Sequence, residues 1–285
     1  MKILIIGDAH FKNKLGLIYM LDYLNWEYKF GNIQDIVHYD YIYSPDQAID
    51  ISNYSDKKFI FGPHFSVFPN KELSILNNKY NNAIYIQPSE WAAETWRNMQ
   101  AEKILPIKSF PFPVNINKFK PIKDNINKTE VFLYYKRRNP KELNFIINYL
   151  KSKNINFKIF NYVQRYEEED YLNTLQNSKY GIILDAHESQ GFAIEEALSC
   201  NVPLLVWNTT IMSQEYGSNY ENIPCTTIPY WDKNCGEFFY KPEEFIITFD
   251  IFLNKLNTYN PRQYILDTLS AEVCANRWKE LVYSF

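Results

Sequence analysis

The chain of 285 residues exceeds the usual size of one domain, about 100–150 residues, so its length predicts two domains of modest size. Its 30 basic and 33 acidic side chains give a net charge of −3, which disfavours a protein that binds nucleic acid through a basic surface. A hydrophobic fraction of 46% is enough for packed cores and excludes a largely disordered chain.

The sequence indicates no targeting or membrane segment. The N-terminal apolar run is too short for a signal peptide, and no stretch approaches the ~20 apolar residues of a membrane span. The four cysteines form no CxxC pair, which is typical of structural thiols in a reducing compartment and argues against a zinc site. We therefore expect a cytoplasmic protein without an integral membrane segment; peripheral membrane contact and the oligomeric state stay open.

The first half of the chain alternates predicted strands with predicted helices. The run KILIIG at residues 2–7 has the pattern of a buried parallel strand, and a helix is predicted from Lys14 to Asn25. Ser89 is the predicted N-cap of a second helix, SEWAAETWRNM. Further strands are predicted at residues 35–43, 58–62 and 83–87.

A second alternating series follows a proline-rich connector at residues 109–128. Two such series predict two doubly wound α/β domains with a cleft between them. From about Lys241 to the end, the pattern predicts helices. Strands of the second series are predicted at 130–135, 156–160, 180–186 and 202–207, and its helices at 139–153, 167–178 and 191–200.

The segment HESQGFAIEEALSC, residues 187–200, follows a predicted strand of the second series. Open α/β sheets bind ligands at such strand ends, and the helix that starts near Phe192 would direct its positive dipole end at a phosphate. Gly191 lets the backbone approach a ligand closely. From the residues alone, Glu188, Glu195 and Glu196 could equally be solvated groups at a helix start.

The longer stretch ESQGFAIEEALSCNVPLLV, residues 188–206, resembles the signature of retaining GT-B glycosyltransferases, especially glycosyltransferase family 4. That signature is a Glu, seven residues with an internal glycine, a second Glu followed by Ala, then a small residue, Cys, a turn and Pro. The resemblance implies that Glu188 contacts the donor sugar, that Glu196 contacts the nucleotide ribose and that Glu195 faces water. Asn201 replaces the usual glycine of the turn, and Asn tolerates the left-handed conformation.

The stretch VFLYYKRRNPKELNFIINYL resembles the first strand and helix of the family's C-terminal domain, where an Arg and a Lys hold the donor diphosphate. Lys136 and Lys141 have that spacing, and Arg137 or Arg138 could supply the guanidinium. The segments SFPFPVNINKFKP and AIYIQPSEWAAETW resemble the linker and the strand and helix before it. The donor-binding set implied is Lys136, Arg137, Lys141, Glu188, Ser189, Gln190, Gly191, Phe192 and Glu196.

The resemblance implies a GT-B fold with two Rossmann-like domains facing across a cleft. The acceptor-side domain would comprise residues 1–112, with a helix at 263–285 crossing back onto it, and residues 113–262 would bind the nucleotide sugar. The implied activity transfers a sugar, with retention and without a metal or other cofactor, from a UDP-, GDP- or ADP-sugar. A glycan, a lipid or another molecule would be the acceptor.

Among the four histidines, His64 is the candidate for a catalytic contact with the donor sugar or its leaving phosphate, together with Glu188 and Lys141. Related enzymes often have a histidine facing the cleft after the corresponding strand. His10 could also border the cleft, His187 could line the pocket, and His38 is predicted to lie in a strand and to be structural.

Three other functions stay open. A GT-B sugar-nucleotide 2-epimerase and a non-catalytic sugar-nucleotide-binding protein would share the fold. The segment GDAH resembles the Asp-x-His start of metallophosphoesterases, but no later Gly-Asp or Gly-Asn-His block follows it. The aromatic-rich segment at residues 228–240 could be core or could line a pocket.

Overall fold

The computed structural model describes residues 1–122 and 128–284. The chain divides into two compact units, one comprising Met1–Pro113 with Leu269–Phe285 and the other comprising Val114–Thr268. Part of the predicted connector, residues 123–127, lies outside the described residues.

The first unit is built on a six-stranded parallel sheet with the strand order β2-β1-β3-β4-β5-β6. Its apolar strand residues alternate between the two faces, so each face packs against other elements and both are buried. The elements are β1 (Lys2–Ile6), α1 (Phe11–Tyr23), β2 (Glu27–Gly31), β3 (Tyr41–Ser44), β4 (Lys58–Phe61), β5 (Ala83–Gln87), α2 (Glu90–Asn98) and β6 (Ile107–Ser109).

The second unit contains a five-stranded parallel sheet with the order β11-β10-β9-β7-β8. Arg262 ties the start of its last helix to this unit by donating to the carbonyl oxygens of Ser199 and Phe119. The elements are β7 (Glu130–Lys136), α3 (Pro140–Ser152), β8 (Lys158–Asn161), α4 (Glu168–Asn177), β9 (Ser178–Asp185), α5 (Phe192–Ser199), β10 (Leu204–Trp207), β11 (Gly236–Phe239), α6 (Phe245–Asn254) and α7 (Pro261–Leu269).

The last helix, α8 (Ala271–Tyr283), belongs to the first unit and packs on α1. Its Trp278 is fully buried, with its ring 5.6 Å from that of Tyr43 and 5.2 Å from that of Phe110. The Ser270 hydroxyl accepts a hydrogen bond from the Val273 amide, which separates α8 from α7.

The structure corrects the prediction of one long strand at residues 35–43. Residues Ile33–His38 form a 3₁₀ turn, because the Asn32 side chain accepts from the Gln34 amide and Asp35 accepts from the Asn32 amide. His38 therefore lies in this turn and not in a strand. The strands β2, β6 and β11 were not predicted.

Candidate functional site

The carboxyl ends of β7 and β9 lie side by side, because the parallel register pairs Lys136 with Asp185. The loops that leave these strands lead into α3 and α5, so the N-termini of both helices reach the same edge of the sheet. Open α/β sheets bind their ligands at this edge. Every residue of the predicted donor-binding set lies at or after one of these two strand ends.

The Lys136 ammonium forms an ion pair with the Glu188 carboxylate. The same nitrogen lies 4.0 Å from a carboxyl oxygen of Asp185 and 4.7 Å from the centre of the Tyr162 ring. Both side chains of the ion pair are 17% exposed, so a ligand can still reach them. The structure thus brings together two predicted site residues that are 52 positions apart.

The charge states in this cluster follow from burial and from the Lys136 cation. Burial raises the pKa of Asp185 well above its usual value, although Lys136 opposes the shift. Burial acts in the same direction on Glu188, but the Lys136 charge and hydrogen bonds from Asp185 and Lys136 outweigh it, so the pKa of Glu188 is lowered. Burial lowers the pKa of Lys136, but the two carboxyl groups outweigh it and raise that pKa overall. The shifts therefore favour a charged Lys136 and an ionised Glu188, whereas burial favours the neutral form of Asp185.

A second ion pair lies beside the first. The Arg137 guanidinium contacts Glu215 at 3.0 Å, and the other carboxylate oxygen of Glu215 lies 3.6 Å from Nδ1 of His187. Burial lowers the pKa of His187 more than the charges of Glu215 and Glu188 raise it, so the imidazole is mainly neutral. Glu215 is 8% exposed, and the Tyr216 amide donates to the Arg137 carbonyl oxygen. The loop after β10 therefore holds Arg137 and His187 in place.

Arg138 has a structural role instead of a place in a phosphate site. It is 1% exposed and forms a bidentate pair with Glu142. It also donates to the carbonyl oxygens of Asp185 and Trp207, the last residues of β9 and β10. All the guanidinium nitrogens therefore bond within the fold, which leaves Arg137 as the arginine available to a ligand.

Lys141 lies in the first turn of α3, with its side chain exposed. Its backbone amide donates to the side chain of Asn139, which caps the helix. Within the described part of the chain, its ammonium forms no ion pair. The structure therefore does not bring Lys141 into the Lys136–Glu188 cluster, although both residues lie at the same edge of the sheet.

The start of α5 corrects the prediction that Glu195 faces water. Glu195 is 1% exposed, and the Gln190 amide donates to both of its carboxylate oxygens, at 3.1 and 3.2 Å. Gly191 adopts the left-handed conformation with φ +90° and allows the chain to turn between these two partners. Ser189 is exposed and Phe192 is half-buried. Glu195 therefore stabilises the loop from inside.

Glu196 is also buried, at 4% exposure, but it faces a group of tyrosines. Burial raises the pKa of Tyr166 to about 12, and the nearby charge of Glu196 adds to the shift. The Tyr166 ring packs 6.2 Å from that of Tyr134 and 5.3 Å from that of Tyr171. The two adjacent glutamates of α5 thus have different surroundings.

The histidine candidates of the first unit lie after β1 and β4. The His10 amide lies 3.4 Å from Nε2 of His64, which accepts its hydrogen bond. Burial lowers the pKa of His64 to about 4; the charge of His10 adds to this shift, while Asp46 and Asp8 oppose it. A neutral imidazole that accepts at Nε2 carries its proton on Nδ1, so His64 can donate one hydrogen bond from that nitrogen.

No group of three or more His, Cys, Asp or Glu side chains among the described residues could hold a metal ion. None of the helices in residues 1–122 and 128–284 is long and apolar enough to cross a membrane. In the segment GDAH, the Asp8 carboxylate pairs with Lys14 at 3.1 Å.

Sequence reasoning missed Asp185, Tyr166 and Glu215 as residues of this site. The sequence could have indicated Asp185, because it is the only charged residue in the apolar run from Tyr180 to Ala186 and is the last residue of a buried strand. No such indication existed for Glu215, since it lies in a long loop without periodicity and its partners are distant in sequence.

No protein-family model and no curated protein matches the chain. Solved structures do match it: a sucrose-phosphate synthase from Thermosynechococcus elongatus is similar over 99% of this chain and 98% of its own, with a TM-score of 0.59 and 10% identity. An α-glucosyltransferase solved with UDP and a 13-mer DNA containing an HMU base is similar over 100% of both chains, with a TM-score of 0.53 and 11% identity. WaaG, a glycosyltransferase involved in lipopolysaccharide biosynthesis, is also similar over 100% of both, with a TM-score of 0.53 and 8% identity. These similarities confirm the fold class and the resemblance predicted from the sequence: the chain has the fold of the GT-B glycosyltransferases.

Proposed function

We propose that the chain is a GT-B glycosyltransferase that transfers a sugar from a nucleotide-diphosphate sugar to a glycan, lipid or other acceptor, with retention of configuration. The observation that carries the proposal is the Lys136–Glu188 ion pair at the carboxyl ends of β7 and β9. It joins a cation and a carboxylate where an α/β sheet binds a nucleotide.

The charges at this edge suit the chemistry of the leaving group. When the bond between the sugar C1 and the phosphate oxygen breaks, negative charge develops on the departing nucleoside diphosphate. Lys136 and Arg137 can stabilise that charge, because fixed cations act strongly in a site that is partly shielded from water. Protein cations can thus supply the positive charge without a bound metal.

The carboxylates would bind the other parts of the donor. Ionised Glu188 can accept hydrogen bonds from the sugar hydroxyls, and the charge of Lys136 favours that ionised form. Glu196 would accept hydrogen bonds from the ribose hydroxyls. In a retaining reaction of this class, the departing phosphate oxygen takes the acceptor proton on the same face of the sugar on which the new bond forms.

The first test is a thermal-shift screen of the full chain against UDP-, GDP- and ADP-sugars. A donor at 100 times its Kd stabilises the native state by about 2.7 kcal/mol. The stabilising donor is then incubated with and without acceptors, and its products are identified. Sugar transfer with a retained anomeric configuration supports the proposal. Epimerised donor without acceptor would support the 2-epimerase, and binding without turnover across many acceptors would support a binding protein.

A further inference from the structure

A cavity of about 580 Å³ lies in the second unit alongside the first three residues of β11, Gly236 to Phe238. The residues just before this strand and those after α6 form its remaining walls. β11 is the edge strand of the sheet, and β10 and β9 separate it from β7 with Lys136. Since neighbouring strands are about 4.8 Å apart, three strand spacings put about 14 Å between β11 and β7, measured across the sheet.

Three aromatic side chains from different segments line this cavity: Trp231, Phe238 and Tyr259. Phe238 is 41% exposed, and Trp231 is half-buried. Tyr259 has a fixed orientation, because its ring stacks on that of the fully buried Phe252 at 5.5 Å and 24°. Exposed ring faces gathered at one concave place are typical of a contact surface for a ligand with apolar faces.

The polar side chains of the cavity are also held in place. One oxygen of Glu237, Oε1, accepts hydrogen bonds from the Lys255 ammonium and from the Tyr259 hydroxyl, both at 2.9 Å. No hydrogen bond reaches its other oxygen, Oε2, from the residues that the structure describes. Asp232 accepts from the backbone and side chain of Asn234. Because these acceptors are already ordered, a ligand hydroxyl could bind to them with little further loss of conformational freedom.

The charges around the cavity balance. Asp232 and Glu237 are opposed by Lys233 and Lys255, so the lining has no excess of either sign. A nucleic acid or another polyanion would require a basic surface and is therefore disfavoured. The chemistry that fits is neutral, rich in hydroxyl groups and flat on at least one apolar face, as in a chain of sugar rings.

We infer that this cavity is a second binding site, for a neutral saccharide chain. Trp231 and Phe238 contact the C–H faces of sugar rings, and Oε2 of Glu237 accepts a hydroxyl. The choice of a saccharide rests in part on the proposed function, because a glycosyltransferase that holds its acceptor or product at a second point raises the local concentration of that chain. The binding itself requires no sugar transfer.

The test measures saccharide binding by isothermal titration of the full chain, without nucleotide sugar, using maltohexaose, cellohexaose and chitohexaose as probes. We expect at least one of them to bind, and Trp231→Ala and Glu237→Gln each to weaken that binding tenfold or more. Tyr80→Ala is the matched control, since this aromatic side chain is 47% exposed, belongs to the first unit and does not line the cavity. Trp231→Phe keeps a ring and should keep most of the affinity, which separates loss of contact from loss of folding.

Three results would overturn the inference: no binding of any probe, equal weakening by Tyr80→Ala, or preferential binding of dextran sulfate that disappears with salt. Failure of the proposed function gives a different pattern. If the wild type transfers no sugar yet binds a saccharide through Trp231, the donor-site proposal fails and the second site stands. The variant Glu188→Gln should retain full saccharide binding.

Discussion

Lys136 and Glu188 neutralise each other across the carboxyl ends of β7 and β9, and a carboxyl oxygen of Asp185 lies 4.0 Å from the same lysine nitrogen. In the proposed complex, the donor hydroxyls would bind Glu188 and the diphosphate would bind Lys136. The charges of Lys136 and Glu188 would therefore each have a partner both with and without the donor. This relationship leads to the first prediction.

Glu188→Gln should lower the turnover number for sugar transfer by about 100-fold or more, because the amide cannot replace the negative charge beside Lys136. Turnover and the melting temperature are measured together. Asp170→Asn is the control, since Asp170 forms an exposed pair with Lys158 in the same unit and should be dispensable. Near-normal turnover of Glu188→Gln with an unchanged melting curve would remove Glu188 from the mechanism.

Substitutions of the two adjacent glutamates of α5 should affect different properties, stability for Glu195 and nucleotide binding for Glu196. Glu195→Ala leaves the buried Gln190 amide without its acceptor and should lower the free energy of unfolding by about 1–3 kcal/mol. Glu196→Ala should mainly weaken nucleotide binding. Urea unfolding and titration with the nucleotide give the two readouts, and equal effects of both variants on both readouts would contradict this assignment.

Arg137→Ala should weaken binding of the nucleoside diphosphate about tenfold, as expected for the loss of a charge-assisted hydrogen bond. Glu215→Gln should have a smaller effect on the same Kd, because it removes only the charge of a residue that positions Arg137 and His187. Lys151→Ala, at the far end of α3, is the control for the loss of a positive charge. If it weakens binding as much as Arg137→Ala does, the effect is one of net charge.

The stability of the chain should fall in mild acid because of His64. Its pKa is about 4 in the fold and about 6.5 in the unfolded chain, so the unfolded state binds protons first as the pH falls. The stabilisation is complete above pH 6.5 and decreases through the window from 6.5 to 4. We expect a loss of about 2 kcal/mol between pH 7.5 and pH 5.

Urea unfolding of His64→Gln at both pH values checks this expectation. The variant should lose that part of the pH dependence, whereas His38→Gln, which removes an exposed histidine, should keep the wild-type dependence. If the free energy of unfolding of His64→Gln falls as much between pH 7.5 and pH 5 as that of the wild type, another group causes the acid sensitivity.

Gly191→Ala should cost about 1–2 kcal/mol of stability through its backbone conformation alone. An added Cβ would meet Glu188 at 3.6 Å and Ile194 at 3.9 Å, which are ordinary contact distances, so no clash contributes. Gly191→Asn should cost less, because Asn tolerates the left-handed region, as Asn201 already does at φ +58°. The order of melting temperatures, Gly above Asn above Ala, is the measurement.

Strands with continuous apolar runs were predictable, whereas three of the four edge strands, β2, β6 and β11, were not predicted. Residues 83–87 were predicted as a strand and form β5, because both faces of that strand are buried. The residues of β2, Glu27 to Gly31, are mainly exposed and form no apolar run, so the sequence pattern did not predict a strand there. The strand prediction for residues 35–43 failed for another reason. The Asn32 amide donates to the Asp35 side chain, and this local capping interaction overrides the strand pattern.

For the site, sequence reasoning could assign the strand ends but not the contacts made there. The predicted left-handed turn at Asn201 is confirmed. The prediction for Glu195 was wrong, because the resemblance assigns no partner to this residue and does not reveal that the Gln190 amide donates to its carboxylate inside the fold. The assignment of donor contacts to Lys136, Glu188 and Glu196 stays a prediction, which the variants above test.

Arg138 has a consequence for changing the specificity of the protein. Its guanidinium joins the last carbonyl oxygens of β9 and β10, so the loops that follow these strands begin at fixed points. Substitutions in the loop at residues 208–227 can therefore alter the surroundings of Arg137 and His187 without moving the strand ends. That loop is the place to begin a library that selects for a different donor, with Arg138 kept unchanged in every member.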